Sequence, residues 1–266
     1  MVRPYLNTSS AALDRRNQRL KADIFNTCHS VVTEKIENSK VINASTVSQS
    51  KIPRFDRHEI VEGKTVGRGG FAVIREITSF ELDRDAARRP SGGSSRSERT
   101  ASTGASTNSD TSPERRALAK ESSFKASKKG SKYVLKELDR SNGLSAKNQN
   151  AYMNGVVDMA MEAQYLANLS HPHILTLKGI STSNQFGGDD GMFLVLEYLP
   201  ETLSKRLNVW MQKDRAMRGV TGFVTGSRKK AGKLLLTRIR VARDVADAMN
   251  YLHSKDIIFR DVSYPL

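Results

Sequence analysis

The sequence predicts an α+β fold in which an antiparallel sheet and one packed helix precede a mainly helical region. Two β-type runs, residues 59–66 and 72–82, flank a glycine-rich turn. A third run, residues 133–138, is followed by apolar residues at three- and four-residue spacing over residues 149–169. After Pro200 the apolar spacing is helical. These three observations together predict the fold class.

Four further elements complete the predicted fold. Apolar runs at residues 174–180 and 192–198 predict two more strands of the sheet. Helices are predicted over residues 202–213 and 234–252. The second helix is the stronger prediction, because its apolar residues fall on one face: Leu235, Ile239, Ala242, Ala246, Met249 and Leu252.

Composition divides the chain into a tail, a folded domain and two insertions. Residues 1–55 are polar and irregular and predict a disordered N-terminal tail, in which residues 13–24 could form a short amphipathic helix. Residues 56–266 form the predicted domain. Within it, residues 83–131 are mostly small and polar or basic, which predicts a disordered insertion. Residues 215–233 predict a basic loop.

Bulk properties narrow the classes of function. The net charge of +15 would suit an anionic partner, but much of this charge falls in the low-complexity stretches. Nucleic-acid binders interleave aromatic residues with their basic residues, and these stretches do not. Cys28 is the sole cysteine, which predicts an intracellular protein of the cytoplasm or nucleus. No apolar run approaches the ~18 residues of a membrane span. Nothing in the sequence predicts an oligomeric state.

The glycine-rich turn is the first candidate site. Gly67, Gly69 and Gly70 would let the backbone approach a phosphate closely, and unpaired N–H groups in such a loop can bind anionic oxygens. Taken alone, the stretch fits an ordinary hairpin at least as well, because Ala72 stands where the phosphate-binding pattern has its last glycine.

Five segments, in order, resemble the eukaryotic protein kinase domain. They are the glycine-rich loop at 67–74, the Lys-bearing strand at 133–136, the helix-to-strand passage at 162–174, the strand and hinge at 193–199, and the approach to a catalytic loop at 250–261. The resemblance implies a kinase-like N-lobe with its αC helix and the helical beginning of a C-lobe. It also implies ATP-dependent phosphoryl transfer to protein serine or threonine hydroxyls.

The resemblance assigns a nucleotide site. Lys136 would contact the α- and β-phosphates of ATP and would be held by an ion pair with Glu162. Phe71 would lie at the tip of the glycine loop, which would cover the phosphates. The adenine would lie among apolar side chains and the hinge backbone: Val66, Ile74, Val134, the gatekeeper Leu196, and the backbones of Glu197 and Leu199.

The resemblance also assigns the catalytic residues, and the sequence departs from the family pattern after them. Asp261 would accept the proton of the substrate hydroxyl, and Arg260 would pair with a phosphorylated activation loop. Ser263 stands where the family has a lysine, and Leu266 stands where it has an Mg²⁺-binding asparagine. Mg²⁺ is expected for the family, but no residue of this sequence is assigned as its ligand.

These departures predict an incomplete kinase domain, truncated just after Arg260 and Asp261, with little or no activity. A truncated gene model, a retained intron or a frameshift would each produce such a sequence. The alternative is a non-catalytic, pseudokinase-like module that binds nucleotide or protein. A third hypothesis, that the basic segments bind nucleic acid or anionic lipid, has no recognisable binding fold behind it.

Overall fold

The computed structural model of the chain describes residues 8–42, 52–82, 112–125, 131–139, 149–182, 191–218 and 227–259. Within these ranges the chain forms one six-stranded sheet and five α-helices, which confirms the predicted α+β fold. The strands are β1 (Arg54–Phe55), β2 (Ile60–Arg68), β3 (Ala72–Phe80), β4 (Tyr133–Leu138), β5 (Leu177–Ser181) and β6 (Phe193–Glu197). The helices are α1 (Thr8–Glu37), α2 (Pro113–Lys125), α3 (Gln149–Asn168), α4 (Leu203–Arg218) and α5 (Ser227–His253).

All five predicted strands and the three helices predicted after residue 133 are present, with small differences at their ends. The fourth predicted strand, residues 174–180, is β5 of the structure and begins at Leu177 rather than at Ile174. Ile174 instead closes a turn, in which its N–H donates to the carbonyl of His171 (N···O 3.2 Å). Strand β1 was not predicted, because a two-residue strand is too short to show any periodicity.

The sheet has the strand order β1-β5-β6-β4-β3-β2. Strand β1 runs parallel to β5, and every other neighbouring pair is antiparallel. Side chains along β4 alternate between the two faces of the sheet. Val134 and Leu138 join the apolar cluster that includes α3, whereas Tyr133 and Leu135 join the cluster on the other face.

The N-terminal residues differ from their prediction, since residues 8–37 form one long helix rather than a disordered tail. Ile24, Cys28 and Val32 are buried against the α3 cluster and recur every four residues, so they lie along one face of α1. Full burial of Ile24 or Val32 contributes roughly 1.5–3 kcal/mol. The apolar stripe is narrow and the rest of α1 is polar, which is why the sequence pattern showed only part of it.

Helix α2 lies inside the predicted disordered insertion, so that prediction is wrong for residues 113–125. Leu118 and Ala119 pack on the second face of the sheet. Arg115 forms an ion pair with the buried Glu59 and places its guanidinium 5.3 Å from the ring centroid of Phe55. Glu121, further along the helix, forms an ion pair with Lys132 and accepts a hydrogen bond from the hydroxyl of Tyr133. These few contacts dock the helix, and they leave no signal in the composition of the segment. Residues 83–111 and 126–130 of the insertion lie outside the described residues.

The predicted basic loop is partly helical, because α4 extends to Arg218 and α5 begins at Ser227. Lysine and arginine are good helix formers, and Lys229 and Lys230 lie exposed on the first turn of α5. Residues 219–226 lie outside the described residues. Leu235 and Ile239, on the predicted apolar face of α5, are each more than half exposed. None of the described helices carries an apolar stretch long enough to cross a membrane.

Replacing Gly179 with alanine is expected to destabilise the fold by about 1–3 kcal/mol through overpacking. A Cβ at this position would lie 2.7 Å from a ring carbon of Phe55 and 3.2 Å from the carbonyl oxygen of Pro53. Urea denaturation measures the change. Gly232→Ala is the matched control, because a Cβ there meets nothing within 4 Å and alanine favours the helix. Equal effects of the two substitutions would contradict the packing described here.

Candidate active site

The glycine-rich turn is a β-hairpin joining β2 to β3. Its end is closed by the N–H of Gly69, which donates to the carbonyl of Ala72 (N···O 2.8 Å). Gly67, Gly69 and Gly70 all have negative φ, and a Cβ added at any of them would meet nothing closer than 3.8 Å. The protein's own backbone and packing therefore do not require these glycines. Their absence of side chains leaves an open surface at the hairpin, which fits the close approach of a phosphate.

Lys136 and Glu162 form an ion pair that bridges the sheet and α3. Lys136 lies in the middle of β4, opposite Ile74 of β3 and Leu194 of β6. The strand alternation that turns Val134 toward α3 also turns Lys136 that way. Glu162 projects from α3, and both side chains are partly buried. The structure therefore brings together the two residues that the sequence assigned as partners.

A cavity of about 300 Å³ lies between the glycine hairpin, β4 and α3. Lys136 and Glu162 line it, together with Asp158, which lies one turn before Glu162 on the same helix. The hairpin forms one wall with residues 69–72, and Ile74, Leu138 and Met159 supply apolar surface. A cation beside the open hairpin suits an anionic ligand such as a phosphate.

Gly155, which was not assigned from the sequence, connects the hairpin to α3. A Cβ at this position would lie 2.9 Å from the Cβ of Phe71 and 3.2 Å from a methyl carbon of Leu138. Phe71 is also held by its carbonyl, which accepts a hydrogen bond from the N–H of Asp139 (N···O 2.8 Å). The tip of the hairpin thus rests on α3 where that helix has no side chain. A glycine inside an amphipathic helix pattern was the signal that could have found it.

Gly155→Ala is expected to weaken ATP binding about three- to tenfold, or about 0.7–1.4 kcal/mol. The new methyl group must displace Phe71, and the hairpin would then have to return against it to cover the phosphates of the expected ATP. The stability change should be small, because overpacking opposes the gain in helix propensity. Titration calorimetry with ATP measures the affinity, and Gly232→Ala is the control. Unchanged affinity would mean that the hairpin does not need this contact.

The residues assigned to the adenine pocket fall into two groups. Val134 of β4 and Leu196 of β6 are paired neighbours, and both are buried in the apolar cluster that includes α3. Ile74 packs against the same cluster. Val66 and Leu199 are exposed. Glu197 accepts a hydrogen bond from the N–H of Thr176 on its carboxylate (N···O 3.1 Å). The structure therefore brings together the buried Val134 and Leu196 with the partly buried Ile74, while Val66 and Leu199 lie at the surface.

The segment leading to the predicted catalytic residues follows α5. Asp256 has φ 58°, a left-handed conformation that aspartate tolerates. The N–H of Ile257 donates back to the carbonyl of Leu252 (N···O 3.0 Å), which closes this turn. Phe259, which stands where the family has histidine, is more than half exposed. Arg260 and Asp261 lie outside the described residues, as do Ser263 and Leu266.

The connection between α3 and β5 is attached to α5. The imidazole of His171 stacks on the ring of Tyr251, with centroids 4.9 Å apart. The hydroxyl of Tyr251 accepts a hydrogen bond from the N–H of Ser170 (N···O 3.1 Å), and His171 Nε2 lies 3.3 Å from Asp247 Oδ2. These contacts join the end of the helix that carries Glu162 to the helix that precedes residues 254–259.

The described residues do not provide a magnesium site. No group of three or more histidine, cysteine, aspartate or glutamate side chains in these ranges is placed to hold a metal ion. Asp158 and Glu162 both line the cavity, but Glu162 is engaged by Lys136. No residue of the described ranges is assigned to Mg²⁺, and no step is assigned to it.

Comparison with known proteins identifies the family. Residues 125–264, slightly more than half of the chain, match the family model "Protein tyrosine and serine/threonine kinase". The matched region contains Lys136, Glu162 and Asp261, whereas the glycine hairpin lies before it. A chicken (Gallus gallus) protein, "Dual serine/threonine and tyrosine protein kinase", is 30% identical over 106 residues, which are 40% of this chain and 9% of that protein. The chain thus spans a small fraction of its relative's length. The chain belongs to the protein tyrosine and serine/threonine kinase family.

Proposed function

We propose that this chain binds ATP in the cavity beneath the glycine hairpin, as part of a kinase domain that transfers phosphoryl groups to serine and threonine hydroxyls of protein substrates. The single observation that carries the proposal is the ion pair of Lys136 with Glu162 at the floor of that cavity. ATP would supply the phosphoryl group that is transferred. The chain's own residues would bind and orient it, which is most of what this chemistry requires of a protein.

Lys136 has the position and charge to hold phosphate oxygens. Its ammonium lines the cavity beside the hairpin residues Gly69 and Gly70. Glu162 would keep the ammonium aimed into the cavity, and the hairpin would add backbone N–H donors above it. The apolar surface of Val134, Leu196 and Ile74 would lie against the adenine ring.

The proposed catalytic roles follow the family. Asp261 would accept the proton of the substrate hydroxyl, and Arg260 would pair with a phosphorylated segment. Serine and threonine are proposed as acceptors because they are the commoner acceptors of protein kinases; the residues that discriminate them from tyrosine fall in or beyond the altered sequence after Asp261. The matched family and the chicken relative both carry tyrosine in their names as well. Phosphoamino-acid analysis of a labelled general substrate tests this point, and labelled tyrosine would overturn it.

A second candidate function is a non-catalytic nucleotide-binding module. The observation in its favour is the sequence after Asp261, where Ser263 and Leu266 replace a phosphate-contacting lysine and an Mg²⁺-binding asparagine of the family pattern. Leucine offers no oxygen to a hard cation. Nucleotide binding would survive these changes, because Lys136 and Glu162 are retained.

One pair of assays separates the two functions. Titration calorimetry with ATP on the purified chain tests binding, and transfer of ³²P from γ-labelled ATP to a general protein substrate tests catalysis. Binding with transfer that Asp261→Asn abolishes supports the kinase function. Binding without transfer supports the non-catalytic module. No binding at millimolar ATP would reject both.

A further inference from the structure

Helix α1 lies against α3, the helix that carries Glu162. We infer that α1 is a positioning helix for the Lys136–Glu162 pair: its docking on α3 holds Glu162 in reach of Lys136, so α1 docking and ATP binding stabilise each other. The second half of this inference rests on the proposed ATP site, and the first half does not.

The contact between the helices is an apolar stripe on α1. Ile24, Cys28 and Val32 are 4%, 0% and 3% exposed, whereas neighbours such as Asn26 and Thr33 are exposed. The three side chains belong to the same cluster as the buried residues of α3: Val156, Val157, Met159, Ala160 and Ala163. The thiol of Cys28 points to the carbonyl of Met153 (Sγ···O 3.8 Å), which locates the contact on the N-terminal half of α3.

The same half of α3 also meets the glycine hairpin through Gly155. Gly155 is followed directly by Val156, which belongs to the cluster shared with α1. Glu162 lies on the same rigid helix, about two turns further on. A helical side chain points in one direction from the helix axis, and neighbouring residues differ in direction by about 100°. A rotation of α3 by a fraction of that angle would therefore turn Glu162 away from Lys136. Apolar contact with α1 opposes that rotation, because it would expose buried side chains to water.

Reciprocal coupling makes the inference measurable in the unmodified chain. If α1 docking favours ATP binding, then ATP must favour α1 docking by the same factor. Cys28 is the sole cysteine and is buried in the contact, so its rate of labelling by a thiol reagent reports how often α1 leaves α3. Burial also raises the pKa of the Cys28 thiol, which further slows labelling while α1 is docked. Saturating ATP is expected to slow this labelling.

A pair of substitutions one residue apart tests the cause. Val32→Asp places a carboxylate in the buried contact, whereas Thr33→Asp places the same charge on the exposed side of α1. With Val32→Asp we expect fast labelling of Cys28 and faster hydrogen exchange of the amides of residues 155–163. If one chain in ten keeps α1 docked, the apparent Kd for ATP rises about tenfold. Thr33→Asp should leave all three measurements unchanged.

The outcomes separate this inference from the proposed function. Fast Cys28 labelling with unchanged α3 exchange and unchanged ATP affinity would overturn the inference. If the unmodified chain does not bind ATP, the proposed function fails, and the α3 exchange alone decides the inference. If Val32→Asp also removes amide protection from β4 and β6, the milder Val32→Ala replaces it. In that case, ATP that binds without slowing Cys28 labelling in the unmodified chain would overturn the inference.

Discussion

Lys136→Met is expected to weaken ATP binding about 30- to 150-fold and to abolish any phosphoryl transfer. A charged hydrogen bond contributes about 2–3 kcal/mol, and methionine keeps the length of the side chain while removing its charge. Lys136 lies beside the hairpin, where phosphate oxygens would meet both a cation and open backbone. Titration calorimetry measures the affinity.

Lys64→Met is the matched control for this prediction. Lys64 is a strand lysine of the same sheet and also faces a carboxylate, Glu76, with Nζ 3.5 Å from Oε1, but its side chain is 75% exposed. We expect less than a twofold change in ATP affinity for this variant. Similar losses for both variants would show that general charge, rather than the position of Lys136, attracts the nucleotide.

Glu162→Gln separates the pair from the lysine alone. We expect a smaller loss of affinity than for Lys136→Met, because the ammonium remains but is no longer held. In the double variant the two losses should not add, since both act through one ion pair. Additive losses would mean that Glu162 contributes independently of Lys136.

Phe55→Ala is expected to cost about 3–5 kcal/mol of folding stability, the largest effect on stability among these predictions. Phe55 is fully buried, although it lies in a two-residue edge strand. Its ring lies 4.9 Å from that of Phe80, and the guanidinium of Arg115 on α2 lies over it. Removing the ring therefore leaves a cavity between the sheet and α2, and urea denaturation measures the loss.

Phe259→Ala is the control for this substitution. Its ring is more than half exposed, so its removal should change stability by no more than about 0.5 kcal/mol. A Phe55→Ala variant as stable as Phe259→Ala would show that β1 does not close the second face of the sheet.

Elements with a strong local pattern were the ones that could be predicted. Strand β4 is a short run of β-type residues and helix α3 has clear 3.6-residue periodicity, and both were placed almost to the residue. Their pairing through Lys136 and Glu162 followed from a resemblance, because two charges 26 positions apart carry no local signal of contact. Asp261 and Arg260 stay predictions, since they lie outside the described residues.

The elements that were missed depend on distant partners. Helix α1 was predicted only over residues 13–24, because the narrow apolar stripe of its second half becomes informative only beside the matching face of α3. Strand β1 exists because backbone groups of Pro53 and Phe55 pair with β5, more than 100 positions later. Helix α2 is held by the cluster around Phe55 and by Glu59, which pairs with Arg115 and lies 56 positions before it. None of these partners can be read from a window of neighbouring residues.

The stacking of His171 on Tyr251 couples any rotation of α3 to the position of α5. Ser170 and His171 directly follow the end of α3, and both contact α5. Ser170 donates a hydrogen bond to Tyr251, and His171 contacts Tyr251 and Asp247. A turn of α3 about its axis must either break this joint or carry α5 with it. A displacement of α5 would also displace the turn at Asp256, five residues beyond Tyr251. That turn precedes Asp261 in the sequence. Helix α3, whose Glu162 pairs with Lys136, and the segment that leads to the proposed base Asp261 are therefore mechanically connected through this one set of contacts.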